Sequence, residues 1–292
     1  MNVLLIGGSG QLGREIASRW RNDSIAAPSH ADLDLAESGR AQTWIEKTRP
    51  NIVVNCAAFH NVDVCEAQPA EAFRINALAV DQWAQACTDA GVAFVTISTD
   101  YVFDGDTDQP YTEDDCDRPI SVYGTSKRAG ESLVMRRAMN AFIVRTCGVY
   151  GTFASQSKGT FIDRIINQAR AGEKIRVVSD VIASPTYAGH LAETLRRLVE
   201  TKEYGLYHAC NVGPVSWYAF ATRALELAGI DYPIEPISAS EWKAPARRPR
   251  YSALANTRLE NLGIRMPAWD DGIAAYLSDK NALRKTGSPP LR

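Results

Sequence analysis

The sequence lacks several features that would define whole classes of protein. No apolar stretch in its 292 residues approaches the roughly 20 residues that cross a bilayer, so we expect no membrane association. The formal net charge is only −2, which leaves no general excess of positive charge to attract nucleic acid. We therefore expect a cytoplasmic protein that has neither nucleic acid nor a membrane as a partner.

Metal-binding patterns are also missing. The six cysteines are scattered along the chain, and no two of them form a Cys-x-x-Cys pair. His60, His190 and His208 are spaced unlike the ligands of a metal ion. These absences predict isolated thiols in a reducing compartment and no bound metal.

The start of the chain carries a recognisable pattern. A short apolar run at residues 3–6 is followed by Gly-Gly-Ser-Gly-Gln-Leu-Gly, which places Gly7, Gly10 and Gly13 three residues apart. Apolar residues then recur at helical spacing from Leu12 onwards. A strand, a glycine turn and a helix N-terminus together form a site for a dinucleotide pyrophosphate. The alternative is a plain tight turn in an α/β protein, which the complete strand-to-helix context disfavours.

Strand-like and helix-like segments alternate through the first half of the sequence. Residues 52–55, 93–97 and 141–145 read as buried strands, and residues 69–90 and 123–137 read as helices. This alternation predicts an α/β fold with a Rossmann-type doubly wound parallel sheet. Ligands bind such sheets beyond the carboxyl ends of the strands.

Beyond residue 150 the pattern changes, and residues 245–250 form a stretch rich in proline and arginine. We predict a dinucleotide-binding Rossmann domain from residues 1–150 and 177–217. A smaller C-terminal substrate-binding lobe is predicted from residues 151–176 and 218–292.

Tyr123 and Lys127 are four residues apart on a predicted helix, so the phenol and the ammonium share one face. A fixed positive charge favours the phenolate, so we expect Lys127 to lower the pKa of Tyr123. Thr99 lies at the end of a predicted strand, where its hydroxyl can donate to the same substrate oxygen.

A strand-end Ser or Thr, a Tyr-x-x-x-Lys motif and the N-terminal glycine turn together resemble the extended short-chain dehydrogenase/reductases. The runs Ser-Thr-Asp-Tyr-Val-Phe-Asp-Gly at 98–105 and Arg-Arg-Pro-Arg-Tyr-Ser at 247–252 further resemble the dTDP-4-dehydrorhamnose reductase family. The similarity extends over essentially the whole chain.

The resemblance assigns roles to individual residues. The implied catalytic residues are Thr99, Tyr123 and Lys127. The implied cofactor-binding residues are Gly7, Gly10, Gln11, Leu12, Asp34, Leu35, Ala57, Ala58 and Phe59, together with Tyr123 and Lys127. The implied substrate-binding residues are Thr99, Asp100, Arg247 and Arg248. Asn76 matches a helix asparagine that supports the lysine.

The implied reaction is an NADPH- or NADH-dependent reduction of the C4 ketone of a nucleotide-linked 4-keto-6-deoxy sugar. The expected substrate is dTDP-4-dehydro-L-rhamnose, with dTDP-L-rhamnose as product, and Tyr123 would protonate the oxygen while nicotinamide delivers hydride. Two alternatives stay open: reduction of another dTDP-4-keto-6-deoxyhexose isomer, and a non-catalytic regulatory subunit like the β subunit of methionine adenosyltransferase. The intact set of Thr99, Tyr123 and Lys127 favours an enzyme.

Cofactor preference and oligomeric state are not fixed by the sequence. The second predicted strand ends near residues 27–30, with neither an acid to exclude a 2′-phosphate nor an arginine to bind one. NADPH and NADH therefore both remain candidates, and the protein is expected to be a monomer or a homodimer.

Two departures from the family pattern matter. Gly148 stands where the family commonly has a tryptophan near the sugar, which predicts either an enlarged pocket or one refilled by a neighbour such as Phe153 or Tyr187. Some family members form a metal-bridged dimer through acidic residues. Here Glu15 is present but Gly189 stands at the second position, so no metal is predicted.

Overall fold

The computed structural model describes residues 1–153, 159–241 and 244–286. Ten strands lie within these ranges. They span Asn2–Ile6 (β1), Ser24–Ala26 (β2), Ile52–Asn55 (β3), Ala93–Thr99 (β4), Ala141–Thr146 (β5), Ile175–Val178 (β6), Ile182–Ala183 (β7), Gly205–His208 (β8), Val215–Ser216 (β9) and Ile234–Ile237 (β10).

Eleven α-helices lie within the same ranges. They span Gln11–Arg19 (α1), Arg40–Thr48 (α2), Val62–Ala67 (α3), Pro69–Phe73 (α4), Val80–Asp89 (α5), Val122–Arg137 (α6), Phe161–Arg170 (α7), Ala188–Thr201 (α8), Trp217–Leu227 (α9), Thr257–Asn261 (α10) and Trp269–Thr286 (α11). A π-helical segment, Arg74–Ala79, joins α4 to α5. None of these helices is long and apolar enough to cross a bilayer.

The main sheet contains six parallel strands in the order β2-β1-β3-β4-β5-β8. One apolar cluster packs α1 and α8 against one face of this sheet, and a second packs α2 and α5 against the other. The predicted doubly wound α/β fold is confirmed. The direction in which the chain adds strands reverses between β1 and β3, and ligands bind such sheets at this reversal.

A second group of elements lies beside the carboxyl edge of the sheet. Strand β6 pairs with β10 in parallel, β7 pairs with β9 antiparallel, and α7, α9 and α11 share a separate apolar cluster. Helix α10 instead contributes Leu259 to the cluster beneath the main sheet. The division into two domains stays a prediction. Of the predicted lobe, residues 154–158, 242–243 and 287–292 lie outside the described ranges.

The loop after β4 is held tightly against the proline- and arginine-rich segment. Gly105 has φ +84°, and a Cβ added there would lie 2.7 Å from the backbone nitrogen of Arg250 and from Pro249 Cβ. Only glycine permits this approach. The two runs that carried the family resemblance therefore meet directly in the fold.

Candidate active site

The glycine turn after β1 brings the backbone of two loops into contact. Gly7 adopts φ +76°, and a Cβ there would lie 2.8 Å from the backbone nitrogen of Ala57. A Cβ on Gly13 would lie 2.3 Å from the carbonyl oxygen of Gly7. At the first turn of α1, the Gln11 Oε1 atom is buried and has no hydrogen-bond partner within the described residues. The close-approach turn and the N-terminus of α1 fit a bound dinucleotide phosphate.

A cavity of about 150 Å³ opens beside this turn. Five of the predicted cofactor residues line it: Gly7, Asp34, Leu35, Ala57 and Ala58. The Asp34 carboxylate accepts a hydrogen bond from the backbone nitrogen of Ala36 at 2.9 Å, which fixes its orientation. Leu12 instead lies in the apolar core, and the Phe59 backbone binds Asn76. Their cofactor roles stay predictions.

The structure brings the three predicted catalytic side chains together at the ends of β4 and α6. Thr99 is the last residue of β4, and Tyr123 and Lys127 lie on the first two turns of α6. Gly124 allows the close approach, since a Cβ there would lie 2.1 Å from the carbonyl oxygen of Tyr101. The Tyr123 and Thr99 side chains lie close enough to affect each other's electrostatics.

The sequence predicted a lowered pKa for the Tyr123 phenol, and this prediction is wrong. Burial raises the pKa of the phenol well above its ordinary value, and the Thr99 side chain offsets only part of this effect. Desolvation disfavours the phenolate, and the Lys127 ammonium points to a backbone oxygen instead. The phenol is therefore protonated at neutral pH, the form needed to donate a proton.

Lys127 Nζ donates a 2.6 Å hydrogen bond to the carbonyl oxygen of Ile97 on β4. Burial lowers the pKa of this ammonium to about 8. Asn76, on the π-helical segment, binds the neighbouring residue: its Nδ2 donates to Ser126 Oγ at 3.0 Å and to the Phe59 carbonyl oxygen. Asn76 thus supports the helix that carries Lys127, and π-helical segments often occur at functional sites.

Asp100 is buried directly behind Thr99. Its carboxylate accepts hydrogen bonds from Thr99 Oγ1 at 3.1 Å and from Cys147 Sγ at 3.0 Å. Burial raises the pKa of this carboxyl. The group orients the Thr99 hydroxyl, whereas its predicted direct contact with substrate stays a prediction.

A larger cavity of about 390 Å³ adjoins the catalytic residues through Tyr101, whose ring lies 6.0 Å from that of Tyr123. Its wall includes Arg248, whose guanidinium binds Asp63 Oδ2 at 2.9 Å. Arg247, predicted as a substrate ligand, is exposed and is absent from this wall. The prediction for Arg247 gains no support from the geometry.

The sequence reasoning assigned no site role to other residues of this cavity. These are Phe161, Arg164, Arg176 and Trp217. The two arginines lie on a helix and a strand of ordinary appearance, so only the tertiary fold reveals their convergence. Trp217 lies in a Ser-Trp-Tyr segment at residues 216–218, to which the sequence analysis assigned no role.

The open space predicted at Gly148 is filled from another element. A Cβ on Gly148 would lie 3.0 Å from Trp217 Cη2, and Gly148 itself has φ +51°. Refilling by Tyr187 is wrong, because that phenol donates to Asp279 at 2.7 Å and accepts from Arg19 at 3.1 Å. Phe153 lines a separate cavity. Trp217 is the side chain that takes the position.

A model of the RmlD substrate binding domain matches residues 1–282. The chain belongs to this family. A dTDP-4-dehydrorhamnose reductase from Sinorhizobium fredii is 34% identical over 284 residues, covering 93% of this chain and 95% of the relative. A dTDP-4-keto-6-deoxy-D-glucose reductase from Streptomyces niveus is 31% identical and covers 89% and 91%.

The solved structures agree with the family assignment. A dTDP-4-dehydrorhamnose reductase from Bacillus anthracis, in complex with NADP, superposes with a TM-score of 0.90 at 34% identity. The superposition covers 95% of the present chain and 98% of the Bacillus anthracis chain. The resemblance to dTDP-4-dehydrorhamnose reductases is confirmed.

Proposed function

We propose that this protein is an NADPH- or NADH-dependent reductase of the C4 ketone of a dTDP-linked 4-keto-6-deoxy sugar. The observation that carries the proposal is the convergence of Thr99, Tyr123 and Lys127 at the ends of β4 and α6, beside an arginine-rich cavity that adjoins Tyr123 through Tyr101. A nucleotide sugar would bind in this cavity, and the smaller cavity beside the glycine turn would hold one end of a dinucleotide. The names of the relatives describe reduction of the same class of ketone.

The reduced nicotinamide supplies a hydride when it is bound. Tyr123, held protonated by burial, donates its proton to the carbonyl oxygen of the sugar. Thr99 donates a hydroxyl hydrogen bond to Asp100 in the absence of substrate and would turn it toward the same carbonyl oxygen when the sugar binds. Lys127 binds the nicotinamide-side ribose and adds a positive charge near the phenolate that forms.

Guanidinium groups favour the diphosphate of the substrate. Arg164, Arg176, Arg248 and Arg250 line the larger cavity together with apolar and aromatic side chains. Planar guanidinium groups pair well with phosphate oxygens, and aromatic rings pack against a base or a sugar. Of the predicted arginines, Arg248 is the substrate ligand we retain, and its bond to Asp63 holds it in place.

The geometry weighs against a purely regulatory role. A protein that only binds a dinucleotide has no use for a protonated Tyr123 next to an oriented Thr99 and a sugar-sized cavity. The sugar isomer is less determined, because relatives of similar identity are named for two different keto sugars. We take dTDP-4-dehydro-L-rhamnose as the expected substrate. A monomer or homodimer stays the predicted assembly.

A direct assay tests the proposal. Purified protein is mixed with dTDP-4-dehydro-L-rhamnose or with dTDP-4-keto-6-deoxy-D-glucose, and oxidation of NADPH or NADH is followed by absorbance. We expect turnover with at least one sugar and loss of turnover in Tyr123→Phe. Absence of turnover with both sugars and both cofactors, in protein that binds the cofactor, would favour the regulatory alternative.

A further inference from the structure

The indole of Trp217 occupies a defined place in the larger cavity. Trp217 is the first residue of α9. Ser216 caps this helix, because its side chain accepts a hydrogen bond from the backbone nitrogen of Ala219. The backbone nitrogen of Trp217 donates to the carbonyl oxygen of Val181 at 3.3 Å. Strand pairing on one side and a helix cap on the other therefore fix the position of the indole before any ligand binds.

One edge of this indole lies over Gly148. Trp217 Cη2 lies 3.0 Å from the position of a Cβ on Gly148. The preceding residue, Cys147, donates to Asp100, which in turn accepts from Thr99. The indole edge is thus connected to Thr99 through Gly148, Cys147 and Asp100.

The cavity next to the catalytic residues has walls of opposite character. Its lining includes four guanidinium groups and Tyr101, whose ring lies 6.0 Å from that of Tyr123. Trp217 and Phe161 form an aromatic wall, with their ring centroids 5.0 Å apart and the planes at 63°. Gly148 adds no side chain beside Trp217. An aromatic wall favours an apolar substituent and leaves a hydroxyl without a hydrogen-bond partner.

We propose that Trp217 is a specificity-determining residue that binds the C5 methyl group of a 6-deoxy sugar and disfavours 6-hydroxy sugars. The proposal rests on the proposed function, because a C4 carbonyl at Tyr123 places the C5 methyl group two bonds from the carbonyl carbon. That methyl group is the apolar substituent of such a sugar, and Trp217 and Phe161 supply an apolar surface in the cavity that adjoins Tyr123 through Tyr101. The nucleotide half of the substrate binds the arginines and does not depend on Trp217.

A matched pair of ligands isolates the methyl group. Binding of dTDP-6-deoxy-α-D-glucose, dTDP-α-D-glucose and dTDP is measured by calorimetry for the wild type, Trp217→Phe and Trp217→Ala. We expect the wild type to prefer the 6-deoxy ligand by about 10-fold, from methyl burial and the unpaired hydroxyl. Trp217→Ala should abolish the preference, Trp217→Phe should retain part of it, and affinity for dTDP should stay unchanged in both.

Steady-state kinetics with the 4-keto substrate provide a second readout. Trp217→Phe, which preserves an aromatic ring and the fold, should raise KM for the 4-keto-6-deoxy sugar nucleotide and change kcat little. An equal preference for the two sugars in the wild type, or an undiminished one in Trp217→Ala, overturns the proposal while the reductase activity stands. If the wild type neither binds nor reduces any dTDP-sugar, both the proposed function and this inference are wrong.

Discussion

Lys127 Nζ and the carbonyl oxygen of Ile97 are joined by a 2.6 Å hydrogen bond across the interface between α6 and β4. Ile97 lies two residues before Thr99, so the lysine fixes the helix that carries Tyr123 against the strand that carries Thr99. The side chain therefore has a structural role in addition to its proposed contact with the cofactor.

Replacing Tyr123 with Phe removes the proton donor and keeps the ring. We expect kcat to fall by about 10²- to 10⁴-fold, which is the usual contribution of general acid catalysis. Binding of NADPH, followed by its fluorescence, should be nearly unchanged, because the aromatic ring and the fold are retained. Tyr101→Phe is the matched control and should retain more activity. Full activity in Tyr123→Phe would remove the tyrosine from the mechanism.

Lys127 predicts a pH dependence of cofactor binding. Burial lowers its pKa to about 8 in the free protein, so the ammonium is lost as pH rises through that value. If the charged form binds the cofactor, the Kd for NADH should rise by about 10-fold per pH unit above the pKa. Calorimetric or fluorescence titration over alkaline pH measures this change.

Lys127→Arg is the control for this titration, because a guanidinium stays charged throughout the alkaline range. We expect its Kd for NADH to be weaker than that of the wild type but independent of pH. A flat profile for the wild type would show that the charge of Lys127 does not contribute to cofactor affinity.

The fold could be predicted because its signals are local. The apolar run of β1, the glycine turn and the periodicity of α6 each occupy a few consecutive residues. The structure contains the predicted strands and helices, with their ends shifted by a few residues. The π-helical segment at residues 74–79 was not predicted, because its sequence has ordinary helical periodicity. Its geometry depends on contacts with α6, and a single segment does not reveal these.

The site was predictable only where residues are adjacent in sequence or match the family motif. Tyr123 and Lys127 satisfy both conditions. The role of Trp217 beside Gly148 was missed, because the two are 69 positions apart and meet only through the pairing of β7 and β9. The pKa of Tyr123 was wrong in sign because spacing along a helix indicates a nearby charge but not the extent of burial.

Cofactor preference can be tested at His30, which lines the smaller cavity with Ser9 and Pro28. The wall of this cavity contains no arginine or lysine among the described residues, so NADPH and NADH should differ by less than about 100-fold in kcat/KM. His30→Arg adds a guanidinium for a 2′-phosphate and should raise the NADPH preference by about 10-fold.

His30→Gln serves as the uncharged control and should leave the ratio of the two kcat/KM values near that of the wild type. Steady-state kinetics with both cofactors distinguish the outcomes. An equal change for NADPH and NADH in His30→Arg would place His30 away from the ribose, and a wild-type preference above about 100-fold would reveal a phosphate ligand elsewhere.

His208 predicts how stability responds to acid. The imidazole is buried at the end of β8, its Nδ1 lies 3.1 Å from the Ala255 carbonyl oxygen and 3.2 Å from that of Tyr111, and burial lowers its pKa to about 3. Between this value and the ordinary value of 6.5, the unfolded chain binds a proton that the folded protein does not. The free energy of unfolding should therefore decrease as pH falls from 6.5 toward 3.

His208→Asn keeps a donor near the two carbonyl oxygens and removes the titration. Its free energy of unfolding should be lower than that of the wild type at neutral pH and should fall less steeply in acid, so that the gap narrows by about 2 kcal/mol over the first one and a half pH units below the ordinary pKa. Urea unfolding at several pH values measures the two curves, with His60→Asn on the exposed surface as control. Parallel curves for His208→Asn and the wild type would show that His208 is protonated in the folded protein, against the burial that lowers its pKa.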